Sequence, residues 1–464
     1  MTDEPAGSWS DVGLSGPPTT RPELEAEVLA VGRALHDRLP SGARHPVRAL
    51  DERALQFASA DRELRAALFR LVDVAPATSS LDDLARHLGE YLDEVDERTP
   101  ALVTAMGAAH TGAGRRALGA ASAMAIKHMA HRFIVGEDPD AAAGLLGRLW
   151  RAGIASSVDL LGEATLTDVE ADRYATRCAE ALDSLAATST RWPARPVLER
   201  NDAGELPRVN LSVKISALTP HLRPQAPELG RDEAARRVRP LLRRARELRA
   251  HLHFDMESLD TLEATLELAL DLLGEDEFRQ GPSAGIVLQA YLRDSPALLE
   301  RVLAWTGVAE RAPPLTVRLV KGAYWDHEIV QAAQANWSPP VFEDKAECDR
   351  NFERLTRALL EARPAVRVAV ASHNLRSVSH AIACDRELAG DAGELELQVL
   401  RGLGDGLAES LAATGHRVRS YCPVGDLVAG MAYLIRRLLE NTSNESFLDE
   451  RRRGVPVEEL LAAP

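Results

Sequence analysis

Two arginines stand side by side in LVAGMAYLIRRLLEN, a stretch that is otherwise largely apolar. On a helix, Tyr433, Arg436, Arg437 and Glu440 fall at i, i+3, i+4 and i+7 and share one stripe. Burying guanidinium groups among apolar neighbours is costly unless an anion meets them. A small carboxylate substrate is such an anion, because the planar fork matches it bidentately. The same spacing also lets Arg437 pair with Glu440 while Arg436 faces solvent. In HLHFDM, period-two alternation puts His251, His253 and Asp255 on one strand face. With Lys321 and His373, such an HxH pair would suit a metal-dependent barrel hydrolase. That centre calls for HxH on an early strand and a lone Asp ending the last one. Here the pair lies on the third candidate strand and the eighth ends in Tyr421-Cys422-Pro423. The other reading of the two histidines is a buried polar pair. VRLVKGAYW ends in Lys321 and Gly322, where the missing side chain lets backbone N–H groups approach an anion such as a phosphate. GAGRRALG and GLGDG lack the strand–turn–helix setting and following acid of a dinucleotide site, and both read as turns.

The elements that must position these groups divide the chain in two. Residues 1–21 are rich in Gly, Pro, Ser and Asp and read as a flexible leader. From 22 to 145, Leu, Val, Ala and Ile recur at helical intervals between charges, which predicts an all-helical region. Ser80 before Leu81-Asp82-Asp83 supplies an N-cap with acids in the first turn. From 146 to 448, eight short apolar strand candidates alternate with amphipathic helices: SSVDLLGE, RVNLSVKIS, LHFDM, GIVLQAYL, TVRLVKG, RVAVASHN, LELQVL and RVRSYC. Their mean step is about 37 residues, and a βαβ unit needs roughly 30. An α/β fold follows, a (β/α)8 TIM-like barrel with its chemistry at the strand C-terminal ends. Glu163, Lys214, Asp255, Gln289, Lys321, His373, Leu400 and Tyr421 fall at or just inside those ends.

The 464 residues carry 45% hydrophobic and 27% charged side chains, the profile of a globular protein with a sizeable core. A net charge of −15 disfavours non-specific attraction to nucleic acid or to an anionic membrane. Cys178, Cys348, Cys384 and Cys422 lie far apart without metal-ligand spacing, which suits a reducing, cytoplasmic compartment. No apolar run approaches the roughly 18 to 20 residues of a membrane span, and the acidic start is unlike a signal peptide.

LSVKISAL, HFDMES, VLQAY, VRLVKGAYW, ASHN, LQVLRGLG, YCPVG and AYLIRRLLEN, in this order, resemble the proline dehydrogenase domain at the front of bifunctional bacterial proline-utilisation enzymes. The resemblance covers about residues 125–448 and extends more loosely to the preceding helices. It implies a distorted (β/α)8 barrel that holds FAD and oxidises L-proline to Δ1-pyrroline-5-carboxylate, with hydride passing from proline C5 to flavin N5. It further implies a membrane quinone as electron acceptor, peripheral docking at the inner membrane, and no metal. Residues 449–464 look like a tail or the linker before an aldehyde-dehydrogenase half, an expected partner domain or chain. The acidic start does not resemble the basic DNA-binding segment of some relatives, so no nucleic-acid partner is expected.

Residue by residue, the resemblance makes Arg436 and Arg437 the clamp on the proline carboxylate, with Lys214 at its edge and Asp255 beside it. Tyr421, Tyr433, Ala323, Tyr324 and Leu400 surround the substrate. Arg318 corresponds to the arginine at flavin N5, where a fixed cation stabilises charge that builds on reduction. Gln289 and Met256 lie against the isoalloxazine. Lys321, Gly322, Ala323, Trp325, Lys345, Ser372, His373, Asn374 and Glu440 hold the rest of the cofactor. Cys348 and Phe352 depart from the family's usual Thr and Tyr.

Overall fold

A computed structural model of the chain describes residues 21–39, 70–71, 74, 78, 80–94, 112–162, 164–389, 394–426, 430 and 455–464. All eight expected strands form, and they close a parallel barrel in chain order. β1 (Ile154–Leu160) is followed by a hairpin absent from the expected set, β2 (Arg200–Asn201) and β3 (Gly204–Glu205). The barrel continues through β4 (Asn210–Lys214), β5 (His251–Asp255), β6 (Ser283–Gln289), β7 (Leu315–Val320), β8 (Val366–Ala371), β9 (Glu396–Leu400) and β10 (Arg417–Val424). β10 runs two residues past the expected Cys422. Its register with β1 pairs Asp159 with Pro423, whose carbonyl accepts from Val135 N–H at 2.9 Å.

Alternation along the strands sends Val213, Phe254, Ile286, Val317 and Val368 outward, where the surrounding helices bury them. The inward positions are unusual for this architecture, whose interior is commonly filled by branched apolar side chains. Ser157, Asn210, Ser212, His251, His253, Arg318, Glu396, Gln398 and Arg419 are all buried. Buried polar groups are tolerated only when paired, and contacts between strands pair them. At the barrel's N-terminal end, Arg367 donates to the Ala203 and Glu205 carbonyls at 3.0 and 3.1 Å, and Arg417 to the Arg200 carbonyl at 2.9 Å. The β2–β3 hairpin is thereby fastened across that end.

Ahead of the barrel, the described helices are α1 (Pro22–Arg38), α2 (Leu81–Asp93), α3 (Gly112–Phe133) and α4 (Pro139–Arg151). The Ser80 hydroxyl accepts from Asp83 N–H at 3.2 Å, as an N-cap should. Residues 112–119, expected as a turn, instead open α3. The alanines and arginines between the glycines are strong helix formers, and they outweigh the cost of glycine when no proline interrupts. In GLGDG only residues 402–404 turn, and Asp405 and Gly406 open the helix Asp405–Ala413. α1 lies along the helix Leu375–Ala389. Buried Arg376 forks onto Glu25 of α1 at 2.6 and 2.8 Å and onto Glu353 at 2.6 and 3.0 Å, and it reaches the Leu461 carbonyl at 3.2 Å. Leu461 in turn packs on α1 at Gly32, where a Cβ would come within 2.4 Å of it.

Candidate active site

The strand ends at the mouth bring four of the expected residues together. Lys214 closes β4 and Asp255 closes β5, paired in register. Tyr421 on β10 donates its hydroxyl to Asp255 Oδ2 at 2.6 Å, and Arg318 on β7 donates to Asp255 Oδ1 at 2.8 Å. The Arg318 guanidinium also lies 5.4 Å from the centre of the Tyr421 ring. Burial, then the charges of Asp159 and Asp255, push the Tyr421 hydroxyl well above the usual phenol range, so it stays a donor.

Lys214 has a second partner, Asp159 on β1, with which it forms a buried salt bridge. Asp159 is wholly buried, and its Oδ2 finds no hydrogen bond among the described residues. Burial works to lower Lys214, but the charges of Asp159 and Asp255 outweigh it and raise the group, which keeps it cationic. Asp159 is not among the candidates the sequence offers; Glu163, the expected strand-end acid four residues on, lies outside the described residues. The signal available for Asp159 is a carboxylate in the middle of SSVDLLGE at the same parity as Ser157.

Arg318 is only 4% exposed, and each of its guanidinium nitrogens is engaged. Nε donates to Gln398 Oε1 at 2.7 Å. Nη1 donates to Asp255 and, at 3.3 Å, to Ser212; Nη2 donates to Ser157 at 3.1 Å and Ser212 at 3.3 Å. What it offers the mouth in this arrangement is positive charge, and a bond to a ligand atom would replace one of these contacts. Below it, Gln398 donates to Glu396 at 2.6 Å, and Glu396 receives a bidentate fork from Arg419 at 2.8 and 2.9 Å. Burial favours the neutral acid, yet Arg419 with the Gln398 hydrogen bond holds the Glu396 carboxyl at about 2.

His251 and His253 point into the same interior. The rings are joined by a 3.0 Å nitrogen–nitrogen hydrogen bond, and His251 Nδ1 lies 2.9 Å from the Ser283 hydroxyl. They are the buried polar pair, and among the described residues no three His, Cys, Asp or Glu side chains converge on a point that could hold a metal.

Apart from Lys345, the remaining expected residues that the structure describes lie at or just past strand ends. Leu400 ends β9, and its N–H donates to His373 Nε2 at 2.8 Å. Lys321, Gly322, Ala323 and Tyr324 are half-buried on the turn after β7, with Lys321 paired to Asp349. Gly322 has φ +134°, and a Cβ there would lie 2.5 Å from the Tyr291 ring, so only glycine fits. Trp325 donates to the Phe342 carbonyl at 2.9 Å, and Lys345 is exposed at the start of its helix. Ser372 and Asn374 bond within their own turn: Ser372 Oγ accepts from Asn374 N–H, and Asn374 Oδ1 from Ser377 N–H. Met256 is buried just past β5. Gln289 donates to the Glu257 carbonyl at 3.0 Å, and its Oε1 is buried without a partner among the described residues. Such an orphaned acceptor fits a ligand that brings an N–H to the mouth, as the isoalloxazine edge of FAD does. Tyr433, Arg436, Arg437 and Glu440 lie outside the described residues.

A family model described as proline dehydrogenase matches residues 143–450. The chain belongs to the proline dehydrogenase family. A second model, the N-terminal domain of proline utilization A, matches residues 25–133. The bifunctional protein PutA of Salmonella typhimurium is 31% identical over 352 residues, which are 74% of this chain and 25% of that one. The proline dehydrogenase of Deinococcus radiodurans is 28% identical over 321 residues, 69% of this chain and 89% of that one. The crystal structure of PutA from Bdellovibrio bacteriovorus, inactivated by N-propargylglycine, aligns with 95% of this chain at a TM-score of 0.84 and 33% identity, and the match covers 44% of that chain. This member of the proline dehydrogenase family thus spans about a quarter of the PutA length in the first of these relatives.

Proposed function

We propose that this chain is an FAD-dependent proline dehydrogenase that oxidises L-proline to Δ1-pyrroline-5-carboxylate. The observation that carries the reading is the buried Arg318 cation, tied to Asp255 and Tyr421 at the barrel mouth of a chain matching the family over 143–450. Gln289, Met256, Arg318, Lys321, Gly322, Ala323, Trp325, Lys345, Ser372, His373, Asn374 and Glu440 are the residues we assign to FAD. The chemistry FAD supplies when bound is acceptance, at N5, of the hydride that leaves proline C5. The substrate nitrogen also releases a proton to solvent, and its lone pair closes the C=N bond as the hydride leaves.

Lys214, cationic because Asp159 and Asp255 face it, binds the proline carboxylate together with Arg436 and Arg437. Asp255 fixes the Tyr421 hydroxyl, and so the ring that packs over the substrate. Leu400, Ala323, Tyr324 and Tyr433 complete that pocket and exclude water. Arg318 contributes positive charge where electron density rises, an interaction stronger in the transition state than in the ground state. We assign a membrane quinone as final acceptor and a cytoplasmic location with peripheral docking on the inner membrane; no helix among the described residues is long and apolar enough to cross one. An aldehyde-dehydrogenase domain or chain is the partner that would consume the product.

The test is turnover by the purified chain supplied with FAD, L-proline and a quinone or redox dye. Product trapped with ortho-aminobenzaldehyde should accumulate without any nicotinamide cofactor. Strict NAD dependence, or no turnover by FAD-loaded protein, would overturn the assignment.

A further inference from the structure

Gln398 sits on β9 between two groups whose chemistry is opposite and fixed. Arg318 can only donate hydrogen bonds, and the ionised Glu396 can only accept them. An amide between them therefore has one satisfactory orientation. Its NH2 faces Glu396 at 2.6 Å and its oxygen faces Arg318 Nε at 2.7 Å. Glu396 is itself held by both arms of Arg419, whose Nη1 is anchored on the Ser156 carbonyl of β1 at 2.9 Å. All four side chains are buried, so none of these bonds is traded with solvent. The chain Arg419–Glu396–Gln398–Arg318 thus runs through the barrel interior from β10 to β7 and ends on the cation beneath the mouth.

We propose that Gln398 is a positioning residue for the reaction: clamped by the Glu396–Arg419 pair, it fixes the rotamer of Arg318 and hence the position of the positive charge felt by the cofactor. The proposal rests on the reading in which Arg318 stabilises the reduced cofactor. Neither Gln398 nor Glu396 touches substrate or cofactor in this scheme. The oxygen of Gln398 is the contact on Nε that Asp255, Ser157 and Ser212 do not supply, because they hold the two terminal nitrogens.

Four variants of the FAD-loaded protein test this: Arg318→Met, Gln398→Met, these two combined, and the exchange Glu396→Gln/Gln398→Glu. The exchange keeps net charge and donor–acceptor order, since the new carboxylate at 398 accepts from Arg318 and the new amide at 396 bridges it to Arg419. The midpoint potential of bound FAD and the stopped-flow reduction rate at saturating proline are read beside KM. Gln398→Met should shift the potential negative and slow reduction on the order of tenfold, the cost of one charge-assisted hydrogen bond. KM should change little, the exchange should restore most of both losses, and Gln398→Met should add nothing on top of Arg318→Met. If Arg318→Met leaves potential and reduction rate unchanged, the underlying reading of Arg318 fails. If Arg318→Met impairs both but Gln398→Met does not, the positioning role is overturned. Should Gln398→Met not retain FAD, the exchange decides alone: a near-wild-type potential supports the proposal, and one like that of Arg318→Met overturns it.

Discussion

A buried lysine is a cation only as long as its neighbours keep it one. Burial alone would lower Lys214, and Asp159 and Asp255 reverse that. Asp159→Asn removes the direct partner while leaving the shape. In that variant the Lys214 ammonium should lose its proton within the working pH range, and a neutral amine cannot pair with the substrate carboxylate. KM for proline should then climb as pH rises, by on the order of tenfold, the worth of one charged hydrogen bond. The unmodified chain should show no such rise from this group. Parallel KM–pH profiles for the two would remove Asp159 from the binding machinery.

On β5, alternation that brings Asp255 to the mouth also forces His251 and His253 into the barrel interior. Burial first, with Arg419 and Arg318 nearby, pushes both rings well below the ordinary imidazole value, so they stay neutral in the fold. In the unfolded chain they take up protons as pH falls through about 6.5. The unfolded state then binds more protons than the native one, and stability is lost as pH drops below that value. The slope is up to about 1.4 kcal/mol per pH unit for each ring. Urea midpoints should be lower at pH 5.5 than at 7.5, and His251→Asn/His253→Asn should shrink that difference without abolishing it, because His380 and His416 shift in the same direction. An undiminished difference in the double variant would show that β5 is not its source.

Across the whole molecule, a single buried guanidinium joins three distant stretches of chain. Arg376 holds Glu25 of α1, Glu353 beside the barrel and the backbone at Leu461. Arg376→Met strands two carboxylates and a carbonyl. Breaking one side of a buried pair costs about 3 to 5 kcal/mol, and the lower end applies because Glu25 is partly exposed. The melting temperature should fall, and limited proteolysis should cut around α1 before it touches the barrel. Unchanged stability and an unchanged cleavage order would mean that α1 is held by apolar packing alone.

The β2–β3 hairpin was not legible in the sequence, but the eight barrel strands, their alternation with helices and the parallel closure were. Each follows from local periodicity: apolar runs too short for helices, separated by amphipathic stretches long enough to cross back. Lys214, Asp255, Gln289 and Tyr421 were legible for the same reason, as polar residues where such runs stop. Residues 112–119, expected as a turn inside an all-helical region, form the start of α3, because the alanine and arginine between the glycines favour helix. Residues of the interior were another matter. Asp159 and Gln398 lie within strands, and nothing along the chain says that the first neutralises Lys214 across β1 and β4 or that the second bridges charges on β7 and β9. Those contacts join residues 55 and 80 positions apart. Sequence alone determined that Lys214, Asp255 and Gln289 end barrel strands, since alternation and strand ends are local properties. Only closure of the barrel decided which charges neutralise one another, because pairing in a buried interior depends on distance and solvent exclusion that the linear order does not contain.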